Sequence, residues 1–280
     1  MLAISFPDFN PIAIEIGPLA IKWYGLAYMA GLLLGWLYIR RLLTEPALWP
    51  NGTAPFPPSR TDDLLLYMTV GVVLGGRLGF VVFYEPSHYL ANPLETFMVW
   101  KGGMAFHGAL LGCGLAIWLF ARNAKVSVLS SMDLCAAAVP IGLFFGRVAN
   151  FINGELWGRP TTAPWGMVFP EARLFYPALE PTPRHPSQLY EAALEGLALF
   201  LVIRFMTHHR GALQTPGIAT GLFLIGYGLA RSFCEIFRSP HFGHALNIGP
   251  FTAGMFYSFA MILLGLWFIW HGRERAARAA

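Results

Sequence analysis

The sequence predicts an all-α polytopic membrane protein, in which residues 1–280 form a single integral membrane domain with seven transmembrane helices. A small external cap is expected between the fourth and fifth helices. Three observations predict this class: the composition, seven apolar runs of membrane length, and one proline-rich interruption. Hydrophobic residues make up 56% of the chain and charged residues 12%. That composition is too apolar for a soluble globular protein of this length.

The charged residues and cysteines argue against several other classes. The net charge is +4, but the cations stand singly or in pairs at the ends of apolar runs, so no nucleic-acid partner is predicted. Cys113, Cys135 and Cys234 lie in apolar segments without CxxC or Cys/His spacing, which indicates neither a metal site nor a disulfide framework. The N-terminus has no basic region before its first apolar run, which argues against a cleaved signal peptide.

Seven segments are long enough to cross the membrane, because a helix needs about 20 residues to span a hydrocarbon core of roughly 30 Å. They cover residues 20–42, 62–84, 103–121, 131–151, 187–206, 216–237 and 250–270. Residues 155–186 contain seven prolines, and this density excludes a membrane helix. The segment is therefore predicted to form the cap, built from turns and short strands.

The basic residues at the ends of these spans predict their orientation. One side of the membrane holds Arg40, Arg41, Arg60, Arg122, Lys125, Arg204, Arg210, Arg273, Arg275 and Arg278. The other side holds fewer basic residues, and half of those belong to the long segment between spans four and five. By the positive-inside rule the C-terminus is cytoplasmic and the N-terminus is external.

Ionisable side chains inside the predicted spans fall at one depth. Arg77, Arg147 and Arg231 each lie roughly fifteen residues past the inner end of an outward-running span, which is about 22 Å of helix. His107 and Glu191, in spans that run inward, reach the same depth from above. Charged residues are costly within a membrane and usually face a cavity or one another. The layer therefore predicts a functional site near the outer surface.

Two polar stripes suit a cavity that opens outward. Span five carries Gln188, Glu191 and Glu195 along one side, and span six carries Tyr227, Arg231, Glu235 and Arg238. Residues 102–108 are predicted to form a glycine-rich loop with His107 at a helix start, and a helix N-terminus combined with arginines favours an anion. At this depth the anion is expected to be a phospholipid headgroup. The structural alternative is that these arginines and glutamates simply neutralise each other, as Arg231 and Glu235 can at i, i+4.

A motif at the end of span four has a counterpart in a known family. Residues 146–159 read Gly-Arg-Val-Ala-Asn-Phe-Ile-Asn-Gly-Glu-Leu-Trp-Gly-Arg, which resembles the signature of the bacterial prolipoprotein diacylglyceryl transferases. Further matching motifs lie at residues 23–26, 75–79, 102–108, 184–191 and 221–228. The sequence departs from the usual pattern at Ala149, where many members have glycine, and at Met255, where glutamine is usual. The second departure puts a polar role for span seven in doubt.

The resemblance implies a seven-span enzyme of the bacterial cell inner membrane. Such an enzyme moves the diacylglyceryl group of phosphatidylglycerol to the lipobox cysteine of a prolipoprotein signal peptide and releases glycerol phosphate. Its implied partners are these two substrates and membrane lipids, and neither a metal nor a nucleotide cofactor is expected. The functional positions that it carries over are Tyr24, His107, Arg147, Asn150, Glu155, Gly158, Tyr227, Arg231 and Glu235, with Arg238 one turn further on.

These residues lead to a mechanistic hypothesis. Arg147 and Arg231 hold the phosphate and stabilise the charge that grows on it. His107 is expected to accept the thiol proton, although ionisation of the thiol in the field of the two arginines is an open alternative. Asn150, Glu155 and Tyr24 are expected to orient the headgroup and the glycerol hydroxyls.

Two other functional classes fit the sequence less well. An outward-facing anion or phospholipid transporter would place its site near the midplane, with inverted repeats and broken helices in matching halves. The sequence shows neither feature. A structural membrane scaffold would leave the arginines within the spans unexplained.

Overall fold

The computed structural model describes residues 4–7, 9–10, 12–17, 19–170, 182–239 and 252–279. The chain forms two compact units, one made of residues 1–38 and 135–280 and the other of residues 39–134. The first unit contains most of the predicted site residues, and the second contains Arg77 and His107. The single membrane domain expected from the sequence remains a prediction.

Helices dominate the described ranges. They are α1 Trp23–Leu43, α2 Thr61–Phe83, α3 Pro86–Ala91, α4 Phe106–Ala124, α5 Val128–Ile152, α6 Ser187–Glu191, α7 Leu199–Arg210, α8 Ile218–Glu235 and α9 Ala253–Ala279. A π-helical segment, Ala192–Ala198, joins α6 to α7. Short 3-10 turns occupy Pro46–Leu48, Pro50–Gly52, Pro58–Arg60, Pro93–Phe97, Val99–Lys101 and Ala212–Gln214.

The part of the first unit that the structure describes also contains four short strands. Strands β1 Ile4–Ser5 and β4 Met167–Val168 pair in parallel. Strands β2 Ile12–Ile16 and β3 Leu19–Lys22 form an antiparallel hairpin that leads directly into α1. The N-terminal residues are therefore paired with the segment that follows α5.

Part of the predicted set coincides with candidate membrane-spanning helices. Within the described ranges, four helical stretches are long and apolar enough to cross a membrane: Trp23–Leu43, Pro58–Phe83, Val128–Ile152 and Ala253–Arg278. They coincide with predicted spans one, two, four and seven. The other three predicted spans fall on α4, on α6 with α7, and on α8, so helices occupy all seven positions. That all seven cross the bilayer remains a prediction.

The predicted cap region, residues 155–186, is described over residues 155–170 and 182–186. These parts contain β4 and isolated antiparallel bridges, one between Gly158 and Arg238 and one between Pro160 and Arg184. Turns and a short strand are what the prolines predict for this region. Residues 171–181 lie outside the described ranges, and an external cap therefore remains a prediction.

In the second unit, glycines on α2 and α4 hold the two helices close together. A Cβ atom on Gly75 or Gly112 would overlap the carbonyl oxygen of Gly108 or Gly71 on the opposite helix. Spacings of four residues between glycines allow helix backbones to pack this tightly in membranes. Because Gly108 is the third residue of α4, this contact also fixes the start of the helix that carries His107.

Arg77 on α2 binds the main chain of the segment that precedes α4. Arg77 as a whole residue is 3% exposed. Nε donates to the carbonyl oxygen of Thr96 at 2.8 Å, and the terminal nitrogens donate to the carbonyl oxygens of Glu95, Gly102 and Gly103. These contacts anchor the glycine loop before His107 and account for a charged residue within an apolar helix. The sequence predicted a place for Arg77 in the polar layer but gave no sign of these main-chain partners.

Candidate active site

The loop after α5 turns back on the end of that helix. Gly154 and Leu156 adopt positive φ angles of 68° and 58°, which reverses the chain within a few residues. The Asn150 side chain then donates to Oε1 of Glu155 at 2.7 Å, and the Glu155 amide donates to the Asn150 carbonyl oxygen at 3.1 Å. Two of the predicted site residues therefore form a closed pair, one helical turn from Arg147.

The start of α6 fastens this loop in place. Ser187 Oγ donates to the Leu156 carbonyl oxygen at 3.0 Å, and Gln188 Nε2 donates to the Glu155 carbonyl oxygen. Both side chains are fully buried. Buried main-chain carbonyls need such donors, so these contacts account for the two polar residues at the start of α6.

Gly158 lies where three segments of main chain meet. Its amide donates to the His185 carbonyl oxygen at 2.8 Å, and its carbonyl accepts from Ser239 Oγ at 2.8 Å. A Cβ atom here would stand 2.5 Å from the Phe237 carbonyl oxygen and 2.7 Å from that of His185. Glycine is therefore required by packing, and the contact fixes the short segment after α8 that carries Arg238.

His185 beside this crossing belongs to an aromatic group. Its ring lies 5.0 Å from that of Phe237, and Nδ1 is 3.0 Å from the hydroxyl of Tyr190. Burial lowers the pKa of the imidazole below its ordinary value, because a low dielectric disfavours the charged form. The lowered pKa favours the neutral imidazole, and the ring packs against its aromatic neighbours next to Gly158.

Three arginines from different parts of the first unit converge on one carboxylate. Arg147 on α5 places Nε 2.7 Å from Oε2 of Glu191. Arg231 on α8 and Arg238 just after it place Nη1 3.1 Å and 3.0 Å from Oε1. The Glu191 residue is 1% exposed. A buried carboxylate that accepts hydrogen bonds from Arg231 and Arg238 and pairs with Arg147 fixes the relative positions of the three guanidinium groups.

Two further carboxylates surround the same arginines. Glu195 lies 3.5 Å from Nη2 of Arg147 and 3.7 Å from Nη1 of Arg231. Glu235 lies 3.0 Å from Nη2 of Arg231 and 3.7 Å from Nε of Arg238. We call the six residues Arg147, Glu191, Glu195, Arg231, Glu235 and Arg238 the arginine–glutamate cluster. The i, i+4 pairing that the sequence offered as a structural alternative is present within it.

The π-helical segment that follows α6 contributes the Glu195 carboxylate to this cluster. Glu195 lies within Ala192–Ala198, where the wider helical turn changes the direction in which successive side chains point. Gly196 in the same segment approaches α5 so closely that a Cβ atom would stand 2.7 Å from the Cα of Phe144. This approach brings Glu191 and Glu195 within reach of Arg147.

Tyrosines lie near the cluster. The hydroxyls of Tyr24 and Tyr28 on α1 are 3.4 Å apart, and Tyr28 interacts electrostatically with Arg147 and Glu155. Tyr227 stands one turn before Arg231 on α8 and interacts with both Arg231 and Arg147. Phenol groups in these positions are able to donate hydrogen bonds to an anion held by the arginines.

Comparison with known proteins decides the family. The sequence profile of the prolipoprotein diacylglyceryl transferases matches residues 11–271. The chain belongs to this family. The resemblance inferred from the motifs is therefore confirmed over nearly the whole chain.

Similar proteins carry the family name in several bacteria. The phosphatidylglycerol–prolipoprotein diacylglyceryl transferase of Rhizobium meliloti (strain 1021) is 50% identical over 277 residues, which cover 99% of this chain and 96% of the relative. The transferase of Phenylobacterium zucineum (strain HLK1) is 50% identical over 275 residues, or 96% and 94% of the two chains. That of Rhodopseudomonas palustris (strain ATCC BAA-98 / CGA009) is 50% identical over 266 residues, or 94% and 90%.

In this member of the diacylglyceryl transferase family, the structure brings many of the predicted site residues together. Arg147, Arg231, Glu235 and Arg238 share the cluster, Asn150 and Glu155 form the adjoining pair, and Gly158 supports Arg238. His107 belongs to the second unit, as the second residue of α4. Its position beside the arginines remains a prediction.

Sequence analysis underestimated the glutamates of α6 and the π segment. The sequence placed Glu191 in the polar layer and both glutamates on a polar stripe beside the expected cavity, but neither was assigned a catalytic or substrate-binding role. The sequence does place two carboxylates four residues apart inside a predicted membrane span. Because a charged residue there is costly unless it is paired, this spacing indicates that each glutamate has a partner of opposite charge. The partner arginines lie 44 and 40 residues away from Glu191 in sequence, at positions 147 and 231, so their identity required the fold.

Proposed function

We propose that this protein transfers the diacylglyceryl group of phosphatidylglycerol to the thiol of the lipobox cysteine in a prolipoprotein signal peptide. This is the first step of lipoprotein maturation. Relatives about 50% identical over almost the full chain are named for these substrates. The observation that carries the proposal is the arginine–glutamate cluster, because three arginines buried together in so apolar a chain mark an anion site.

The reaction exchanges one bond for another at a glyceryl carbon. The cysteine sulfur forms a C–S bond with the carbon that carried the phosphate, and the C–O bond to the phosphate breaks. The electron pair of that bond leaves with the oxygen, so negative charge grows on the departing glycerol phosphate. Arg147 and Arg231 stabilise that charge through charge-assisted hydrogen bonds.

The thiol must lose its proton for the sulfur to attack. A cysteine thiol has an ordinary pKa of about 8.5, so most of it is protonated at neutral pH. His107 serves as the general base in our proposal, because it is the histidine predicted at the depth of the arginines. Ionisation of the thiol in the field of Arg147 and Arg231 is the competing route, and the two differ in their response to pH.

The remaining site residues bind and orient the lipid. Asn150 and Glu155 hold each other at 2.7 Å and, with Tyr24, position the headgroup and its hydroxyl groups. Tyr227 adds a hydroxyl beside the arginines. Glu235 completes the binding surface by holding Arg231 at 3.0 Å, and Arg238 adds a third guanidinium group paired with Glu191. Gly158 contributes by allowing the close packing that holds Arg238.

The proposed setting is the bacterial inner membrane. Seven spans place the N-terminus outside and the C-terminus in the cytoplasm, so the cluster opens toward the outer leaflet with residues 155–186 as its cap. Phosphatidylglycerol then enters from the bilayer, and the signal peptide presents its cysteine from the same membrane. The proposed chemistry requires neither a metal, a nucleotide nor a nucleic acid.

The decisive experiment supplies the purified protein with phosphatidylglycerol and a lipobox peptide. We expect a thioether-linked diacylglyceryl peptide by mass spectrometry, with glycerol phosphate released in equal amount when both substrates are present. A peptide with serine in place of its cysteine is the matched control and should release none. Flux of lipid or anion across sealed vesicles without any peptide modification would instead indicate a transporter.

A further inference from the structure

Glu195 differs from the other carboxylates of the arginine–glutamate cluster. Its side chain is 0% exposed, and neither carboxylate oxygen accepts a hydrogen bond from any residue in the described ranges. Its two arginine neighbours lie at 3.5 Å and 3.7 Å, which is within range of Coulomb attraction but beyond a good hydrogen bond. Glu191, by contrast, contacts three arginines at 2.7–3.1 Å.

The formal charges of the cluster already balance without a ligand. Three arginines and three ionised glutamates sum to zero. A phosphodiester headgroup would bring one negative charge into this buried environment, where an uncompensated charge is strongly unfavourable. Glu155 on the adjoining loop is a further carboxylate, so it adds to the excess of negative charge. One carboxylate must therefore become neutral when the headgroup binds.

We propose that Glu195 carries a proton when the phosphodiester headgroup of the lipid substrate is bound between Arg147 and Arg231. This inference rests on the proposed function, because it assumes that a phosphodiester occupies the cluster. The headgroup then takes over the attraction that the Glu195 carboxylate exerts on the two arginines. One proton is gained by a Glu195 oxygen, and the net charge of cluster plus ligand returns to zero. Glu195 is thus a positioning residue that matches the charge of the site to its substrate.

The geometry selects Glu195 over its neighbours. Protonation of Glu191 would weaken close contacts to three arginines. Oε2 of Glu235 also accepts no hydrogen bond within the described ranges, but it lies 3.0 Å from Arg231, a closer ion pair than either arginine makes with Glu195. Protonation of Glu195 breaks no hydrogen bond in the described part of the chain. It therefore costs the least and leaves the arrangement of the arginines intact.

Proton uptake makes lipid binding depend on pH. Charged and titratable groups face Glu195 from every element packed around it. They are Arg147 on α5, Glu191 on α6, Tyr227, Arg231, Cys234 and Glu235 on α8, and Arg238 just after α8. The arginines stay charged at all accessible pH values. Because the protonated form binds the lipid, affinity is highest in acid. It falls as pH rises through the range where Glu195 ionises in the free protein, by up to about tenfold per pH unit for one proton.

The test is equilibrium binding of short-chain dihexanoyl phosphatidylglycerol to the detergent-solubilised full chain from about pH 5 to about pH 9, a range in which guanidinium groups stay charged. Wild type should bind more weakly as pH rises, and Glu195→Gln should bind with an affinity that is flat across the range. The same carboxyl-to-amide change at Glu95, whose side chain is 32% exposed and lies outside the cluster, is the matched control, and Glu95→Gln should keep the wild-type slope. His107→Gln should also keep it, because the proposal assigns the proton to a carboxyl group.

Calorimetry on the wild type supports this test without depending on whether a variant folds. Titrations in two buffers of different ionisation enthalpy, at a pH on the sloping part of the profile, should show uptake of up to one proton per lipid bound. A flat wild-type profile, a slope that survives in Glu195→Gln, or a slope that is lost in His107→Gln overturns the proposal. The proposed function fails separately, if the wild type transfers no diacylglyceryl group to the lipobox peptide.

Discussion

The substitution Arg231→Lys tests whether the shape of the guanidinium group, and not only its charge, is needed. Arg231 contacts Glu191 through Nη1 at 3.1 Å and Glu235 through Nη2 at 3.0 Å. A planar fork holds two oxygens in fixed directions, whereas an ammonium is a compact point charge on a flexible stem. Lysine therefore keeps the charge but loses at least one of these directed contacts.

The expected loss follows from one charge-assisted hydrogen bond. Such a bond contributes roughly 1.5–3 kcal/mol, and each 1.36 kcal/mol corresponds to about tenfold in rate. If the arginine makes an equivalent bond to the phosphate in the transition state, kcat/KM should fall by about 10- to 150-fold in Arg231→Lys. Arg147→Lys should behave in the same direction, because Arg147 also contacts two carboxylates.

The chain offers a matched control for this substitution. Arg41 and Glu45 have the same i, i+4 spacing and the same 3.0 Å distance as Arg231 and Glu235, but their side chains are 71% and 32% exposed against 15% and 14%. Exposed ion pairs contribute about 1 kcal/mol or less, so Arg41→Lys should not change transfer activity.

The assay is the rate of thioether formation with phosphatidylglycerol and a lipobox peptide, for variants matched by their amount in the membrane fraction. Turnover by Arg231→Lys within about threefold of wild type would lie below the range calculated from one charge-assisted hydrogen bond. That result would refute a role for the directed contacts of the guanidinium group.

Four further predictions follow from the same contacts. His107→Gln should insert normally and lose about 10²–10⁴-fold in rate, with partial recovery at alkaline pH as more thiolate forms unaided; weaker lipid binding without recovery would assign His107 to the headgroup. Arg77→Met should lower the thermal unfolding midpoint, because it leaves buried carbonyl groups without donors, and an unchanged midpoint would refute that role. A reporter fused after Ala280 should behave as cytoplasmic and one inserted near Ala178 as external, and the reverse would place the cluster in the wrong leaflet. Hydrogen bonds from Lys101 and His88 lower the pKa of the Glu95 carboxyl in the folded protein. Any stability that these contacts contribute is present above the pKa of the unfolded state and is lost as pH falls through the pKa of the folded state. The difference in thermal unfolding midpoint between wild type and Glu95→Gln should therefore shrink in acid.

The sequence predicted where helices form because a membrane span requires a continuous run of apolar residues. All seven predicted segments contain a helix, and four of them have the length and apolar character of a span. Spans five and six are not among those four. The first is interrupted by the π segment that carries Glu195, and the second carries Arg231 and Glu235 for the cluster. Polar residues needed at the site thus weaken the signal by which a span is recognised.

The partners of the charged residues were less predictable than their positions. Spacing within one helix predicts contacts at i, i+4, and the Arg231–Glu235 pair is of this kind. The contact between Arg147 and Glu191 joins two helices, and that between Arg77 and the Thr96 carbonyl joins a side chain to main chain. Sequence patterns within one helix carry no information about such pairs, since they arise from how the helices pack.

The geometry of the cluster depends on residues that carry no charge. Arg238 follows the end of α8, where a short segment is held by the main chain at Gly158 and by the hydroxyl of Ser239. Any side chain at position 158 would collide with the carbonyl oxygens of His185 and Phe237 and displace the segment that carries the guanidinium group. Because Glu191 accepts from Arg238 through the same oxygen that accepts from Arg231, a shift of one arginine changes the direction of the contact to the other. A glycine outside the ion pairs therefore controls the alignment of the charges, which gives a physical reason why the motif that carries the family resemblance joins Arg147 and Asn150 to Gly158.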